Sequence, residues 1–157
     1  MNQKELIMRQ LLSVIVNSKT LWYNLYENRN FERRIIMLKF ICYPKCTTCK
    51  KAQSFLEENK VEYIFRDIKE DNPTYEEIKR WHEMSGLPLK KFFNTSGLLY
   101  KSMGLKDKLS SMTEEEQYKL LSTDGMLVKR PILVGENFVL TGFRAEQWAE
   151  KLLCKSK

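Results

Sequence analysis

Two short apolar runs, LKFICY at residues 38–43 and VEYIFRDI at 61–68, flank a segment in which Cys49, Ala52, Phe55 and Leu56 recur at helical spacing. Runs of this length and β-rich composition read as strands, and the three-to-four-residue spacing between them reads as a helix. Pro44 and Lys45 supply the turn that closes the first strand. Strands joined through a helix are joined by a crossover, so the two should lie parallel in one sheet. Such a unit commits the chain to an α/β architecture with helices packed on the faces of the sheet.

The remaining elements fit around that unit. NPTYEEIKRWHEM (72–84) opens with Pro73 near a first turn and acids after it, a helix start. Residues 85–124 carry turn signals in SGLP and NTSG, then TEEEQYKLL, where Thr113 and Glu116 have the spacing of a capping box. PILVGENFVL (131–140) reads as two short strands about Gly135-Glu136-Asn137, a hairpin. RAEQWAEKLLC (144–154) closes as an amphipathic helix with Ala145, Trp148, Ala149 and Leu152 on one face. The expected fold is a four-stranded mixed sheet with flanking helices and a helical insertion between a βαβ half and a ββα half.

Residues 1–36 do not continue this pattern. Their apolar run, Leu11 to Val16, is far short of the roughly 20 residues of a membrane span, and no small-residue cleavage site follows it. Met37 stands directly before LKFICY, so residues 1–36 read as an extension and 37–157 as one domain, large enough to bury a core without staples. The formal charge of +7 is spread out: six Lys or Arg against three Asp or Glu in residues 1–36, and 21 against 17 beyond. No stretch interleaves bases with aromatics as a single-strand binder does, so direct nucleic-acid binding is not expected, although the field can draw in an anionic substrate or an acidic protein surface.

The chemistry concentrates in YPKCTTCKKA (43–52). Three of the four cysteines, Cys42, Cys46 and Cys49, crowd together, and Cys154 stands apart; this is not the spread of a secreted disulfide framework and suits a reducing, cytoplasmic compartment. A zinc site needs two further ligands, usually a second close pair, and Cys42, Cys154 and the lone His82 are not so spaced; His82 reads as a surface residue. The spacing Cys42-x-x-x-Cys46-x-x-Cys49 also matches the cluster-binding signature of radical enzymes that use S-adenosylmethionine. Those enzymes carry an aromatic residue where Thr48 stands, and Cys42 here lies within a strand. A structural disulfide closing so small a loop would constrain little of the unfolded chain. Thiol–disulfide exchange is the use that fits. Cys46 falls at the start of a helix, where unpaired backbone N–H groups and the helix dipole favour a thiolate, and Lys45, Lys50 and Lys51 add positive charge. Cys49, one turn on, is within disulfide reach as the resolving thiol.

CYPKCTTCKKAQSFLEENKVEYIFRDI (42–68), NTSG (94–97), KRPILV (129–134) and GFRAEQW (142–148) together resemble the arsenate reductase (ArsC)/Spx family, a thioredoxin-fold group with a helical insertion; the resemblance spans about residues 37–153. It implies that Cys46 is the redox cysteine, that Arg130 and Arg144 bind an anion, and that Pro131 is cis and faces the thiol. Asn94 falls where arsenate reductases place a further arginine, and Lys50 completes the candidate substrate-binding set. The chain departs from glutaredoxin-linked arsenate reductases in having Cys42-Tyr43 for a His-Asn pair and Cys49 for a serine. Spx-type regulators, which bind the α-subunit of RNA polymerase, share the Cys-x-x-Cys pair and carry a glycine near Gly86. The expected activity is thiol–disulfide oxidoreduction of the arsenate reductase type by Cys46 and Cys49, with no bound cofactor. Its partners would be a small oxyanion or disulfide and an external reductant: thioredoxin, glutaredoxin or glutathione. The alternative is an Spx-like redox-sensing regulator.

Overall fold

The computed structural model describes residues 38–153; the extension at 1–36 and Cys154 lie outside the described residues. Strand β1 (Leu38–Cys42) runs parallel to β2 (Tyr63–Asp67), with Leu38 opposite Tyr63 and Cys42 opposite Asp67. Helix α1 (Thr47–Glu58) is the crossover between them. On the other side β1 pairs antiparallel with β3 (Ile132–Val134), which turns into β4 (Val139–Thr141), giving the order β2-β1-β3-β4. This is the expected mixed sheet of four strands. Between β2 and β3 lie α2 (Tyr75–Ser85), α3 (Leu98–Ser102), α4 (Leu105–Lys108) and α5 (Glu114–Leu121), with 3-10 turns at Leu89–Phe92, Leu109–Ser111 and Gly125–Leu127; α6 (Ala145–Leu153) follows β4.

The alternation of side chains along β1 sorts the core into two layers. Phe40 and Cys42 point to one face with Leu133 and Leu140, where Cys49, Ala52 and Leu56 of α1 and Trp148 of α6 cover them. Ile41 points to the other with Ile132 and Val139, under Ile78 and Trp81 of α2 and Tyr118 and Leu121 of α5. β2 is one edge of the sheet, and its apolar residues are only partly covered: Ile64 and Phe65 are both exposed, so the alternation in the sequence does not translate into one buried stripe.

Local chemistry fixes where the helices begin and end. Thr74, not Pro73, caps α2, in a reciprocal capping box with Glu77, and Thr113 with Glu116 does the same for α5. Glu77 also takes a two-pronged ion pair from Arg66 of β2, at 2.7 and 3.0 Å, which ties α2 to the sheet edge. Helix α1 stops in a Schellman arrangement, with Val61 N donating to Leu56 O and Lys60 N to Glu57 O while Lys60 takes a left-handed φ of 54°. Two expectations need correcting. On α6 Trp148 is buried and Ala149 and Leu152 are half-buried, but Ala145, in the first turn, is exposed. His82 is not a free surface residue: it is half-buried, with Nδ1 2.7 Å from the Tyr118 hydroxyl, and bridges α2 to α5.

Candidate active site

Pro44 and Lys45 form a tight turn closed by the hydrogen bond from Cys46 N to Tyr43 O at 2.9 Å, and this delivers Cys46 to the N-cap of α1. Cys46 has an extended backbone (φ −89°, ψ 124°), and its carbonyl accepts the first intrahelical bond, from Lys50 N. No side chain caps the helix and no acid occupies its first turn, so the N–H groups and the positive end of the helix face the Cys46 thiol or whatever binds beside it. Cys46 is half-exposed and lines a cavity of about 510 Å³.

Among the described residues, four cations, Lys91, Lys129, Arg130 and Arg144, border that cavity, and no Asp or Glu does. Arg130 is held from two sides: its guanidinium lies 5.3 Å from the centre of the Tyr43 ring and its Nη1 is 3.4 Å from Met126 O. Its Nε is buried without a partner among the described residues. Arg144 is exposed at the start of α6, on a corner anchored by Trp148, whose Nε1–H donates to Gly142 O at 3.2 Å. Thr48, Ser96 and Gln147 supply neutral polar groups. This set suits a small anion or an anionic chain laid against the thiol.

The structure brings Cys46, Asn94, Arg130 and Arg144 to one cavity. Asn94 meets it with its polar head already engaged, since Nδ2 donates to Met126 O at 3.2 Å and Oδ1 accepts from Ser96. It is the one buried polar residue of the described core, and its amide packs against Gly97, where any Cβ would collide with it. Lys50 is exposed on α1 and is not among the lining residues. Pro131 is buried behind the lining, and the Arg130–Pro131 peptide bond is cis. Sequence reasoning missed Lys91 and Lys129. Lys129 could have been suspected from its place in the KRPILV motif, whereas nothing in the spacing of Lys91 marks it.

Behind Cys46 the other two thiols form a buried pair. Cys49 and Cys42 are each 1% exposed, and Tyr43 N donates to Cys49 Sγ at 3.4 Å. A hydrogen bond to Cys42, with burial second, pushes the Cys49 thiol well up, against which the Tyr43 amide and Cys46 pull only weakly. The same hydrogen bond draws Cys42 down, against burial and the charge of Asp67. Cys49 is therefore the thiol of the pair whose ionisation is the more disfavoured, and it shares one buried cluster with Cys42, against which Cys46 packs. All three thiols are free.

A four-stranded mixed sheet with an unengaged cysteine at the N-cap position of its first helix and a basic cavity before it defines the class to which this chain is assigned. Residues 42–151 match the ArsC family, and the chain belongs to it. The chain is 50% identical over 113 residues to the Bacillus subtilis uncharacterized protein YusI, covering 72% of this chain and 96% of that one. It is 28% identical over 111 residues to the global transcriptional regulator Spx 1 of Bacillus cereus, covering 71% and 83%. Among solved structures, an ArsC family related protein from Bacteroides fragilis superposes with a TM-score of 0.72 at 55% identity, covering 74% of this chain and 98% of that one.

Proposed function

We propose that this protein is a thiol–disulfide oxidoreductase acting on a small anionic substrate, either a disulfide bearing carboxylates or an oxyanion, with Cys46 as nucleophile and Cys49 as resolving thiol. One observation carries the reading: the half-exposed thiol at the uncapped N-terminus of α1 opens into a cavity bordered, among the described residues, by four cations and no acid, and the buried Cys49 thiol packs behind it. With a disulfide, Cys46 sulfur bonds to one substrate sulfur and the other leaves as thiolate. Cys49 then gives up its proton and attacks Cys46 Sγ, the second substrate sulfur leaves, and a Cys46–Cys49 disulfide remains, two electrons having passed to the substrate. An external thiol reductant of the thioredoxin, glutaredoxin or glutathione type closes the cycle. Arg130 and Arg144 hold the anion, and Lys91 and Lys129 add the field that draws it in.

The kinship with Spx 1 supports a second reading, a redox-sensing regulator that binds RNA polymerase through its α-subunit and does not turn over substrate. Gly86 adds nothing to it, because a left-handed residue (φ 62°) ending α2 accounts for the glycine. The deciding experiment is NADPH consumption coupled through thioredoxin or glutaredoxin, with oxidised glutathione, model disulfides and arsenate as substrates. Turnover that requires Cys46 supports the enzyme. Redox-dependent capture of the polymerase α-chain by its carboxy-terminal domain, in the absence of turnover, overturns it.

A further inference from the structure

The oxidoreductase cycle leaves one thiol unused. Cys42 ends β1 on the face covered by α1, and that face packs it against Cys49 in one buried cluster, with Cys46 at the cluster's edge. Cys49 shares the cluster with Cys42 on the sheet side, and Cys46 packs against it on the cavity side. Two thiols would suffice for a resolving pair. A third, buried on the far side of the resolving thiol, is placed to receive the disulfide in turn.

We propose that Cys42 is a third redox thiol, which takes Cys49 from Cys46 and so moves the disulfide from the cavity into the core. The inference rests on the redox reading of Cys46 and Cys49. In the step, Cys42 Sγ loses its proton and bonds to Cys49 Sγ, the Cys46–Cys49 bond breaks, and its electron pair leaves on Cys46, which keeps the charge or takes the proton. One disulfide replaces another and one thiol replaces another, so no further oxidant or reductant is needed. Two features drive the exchange in this direction. The leaving sulfur departs at the uncapped N-terminus of α1, where free backbone N–H groups face it, and good thiolate leaving groups are displaced faster. The product disulfide lies between two residues already sealed from solvent, beyond direct reach of external thiols. The oxidised protein would thus recover a free Cys46 in the cavity, able to attack a second substrate, and reduction would have to re-enter through Cys46.

Tryptic cleavage makes the test direct, because Cys42 lies in FICYPK (40–45) and Cys46 and Cys49 share CTTCK (46–50). The full chain carrying Cys154→Ser, which removes the fourth thiol, is oxidised with one equivalent of diamide, equilibrated in a glutathione buffer, quenched in acid, alkylated with N-ethylmaleimide and digested without reduction. The expected majority disulfide links the two peptides, with the alkyl group on Cys46; the Cys42→Ala variant gives only the internal disulfide of 46–50. In parallel, iodoacetamide labelling of Cys46 in the oxidised native protein should persist with Cys42 present and fall at least tenfold in Cys42→Ala. An internal 46–50 disulfide as the majority product, with Cys42 alkylated, overturns the relay and leaves the two-thiol cycle intact. Absence of any disulfide among the three overturns both. The peptide map of the chain with Cys42 intact decides the matter whether or not Cys42→Ala folds.

Discussion

Trp148→Phe separates the anchoring of the Arg144 corner from simple filling of the core. Trp148 is fully buried, with Phe40, Phe55 and Phe143 around it at ring-centre distances of 6.3, 6.4 and 5.0 Å, and its Nε1–H holds Gly142 O, two residues before Arg144. Phenylalanine keeps an aromatic ring there but loses the donor. The smaller ring gives up roughly 40 Å² of buried apolar surface, about 1 kcal/mol at about 25 cal/mol per Å². The orphaned carbonyl adds about 1 kcal/mol, since Gly142 is half-exposed and water can partly replace the indole. Together this predicts a loss of about 2 kcal/mol, against about 4 for Trp148→Ala. In urea unfolding, with a slope of about 1.5 kcal/mol per M, the midpoint of Trp148→Phe should fall by roughly 1.3 M. Sulfate affinity, read by protection of Cys46 from iodoacetamide, should weaken as well, because the corner that presents Arg144 is loosened. A midpoint shift of less than about 0.3 M, which at a slope of about 1.5 kcal/mol per M is under about 0.5 kcal/mol, together with unchanged sulfate protection, would refute the argument.

Arg130→Ala and Arg144→Ala should each weaken oxyanion binding by about 1.5–3 kcal/mol, the range for a hydrogen bond to a charged group, and isothermal titration with arsenate checks both. Asn94→Arg should not restore arsenate chemistry: the position is buried and its amide engaged, so the larger cation should cost about 2 kcal/mol of stability in urea unfolding and leave turnover no higher. At the Arg66–Glu77 pair, burial raises the Glu77 carboxyl, but the Arg66 hydrogen bond, the Thr74 amide and the Arg66 charge outweigh it and hold the group below the ordinary carboxylate value of 4.5. A depressed folded value stabilises the fold fully above the unfolded value, and that contribution is lost as pH falls through the folded one. Glu77→Gln should therefore lower the urea midpoint at pH 7 and flatten its decline between about pH 5 and pH 3.

The βαβ unit, the hairpin and α6 were legible because each has a local signature: an apolar run, a helical period, a turn between two strands. The capping box at Thr113 was legible for the same reason, and that at Thr74 was overlooked only because Pro73 next to it is also a helix-start signal. The exposure of Ile64 and Phe65 was not legible, since which strand becomes the edge depends on where β3 inserts, some 70 residues later. The site divides similarly. Cys46 and Cys49 announce themselves by spacing, and Arg130 and Arg144 by motifs shared with a family. Lys91 reaches the cavity only through the path of the insertion, and Asn94, for which the family resemblance implied a cation in arsenate reductases, is a buried hydrogen-bonding hub. The Cys42–Cys49 contact is a tertiary fact: a strand residue and a helix residue meet because the sheet face of β1 and the inner face of α1 coincide.

The division of labour between Cys46 and Cys49 is the centre of the account, and one mass-spectrometric measurement tests it: the intact mass and peptide map of Cys49→Ser after exposure to oxidised glutathione. Attack by Cys46 survives in this variant while resolution does not, so a glutathione adduct should accumulate on Cys46 and coupled turnover should cease, whereas Cys46→Ser should take up no adduct in the cavity at all. An adduct on Cys42 in place of Cys46, or normal turnover of Cys49→Ser with no adduct, would contradict the assignment of nucleophile and resolving thiol.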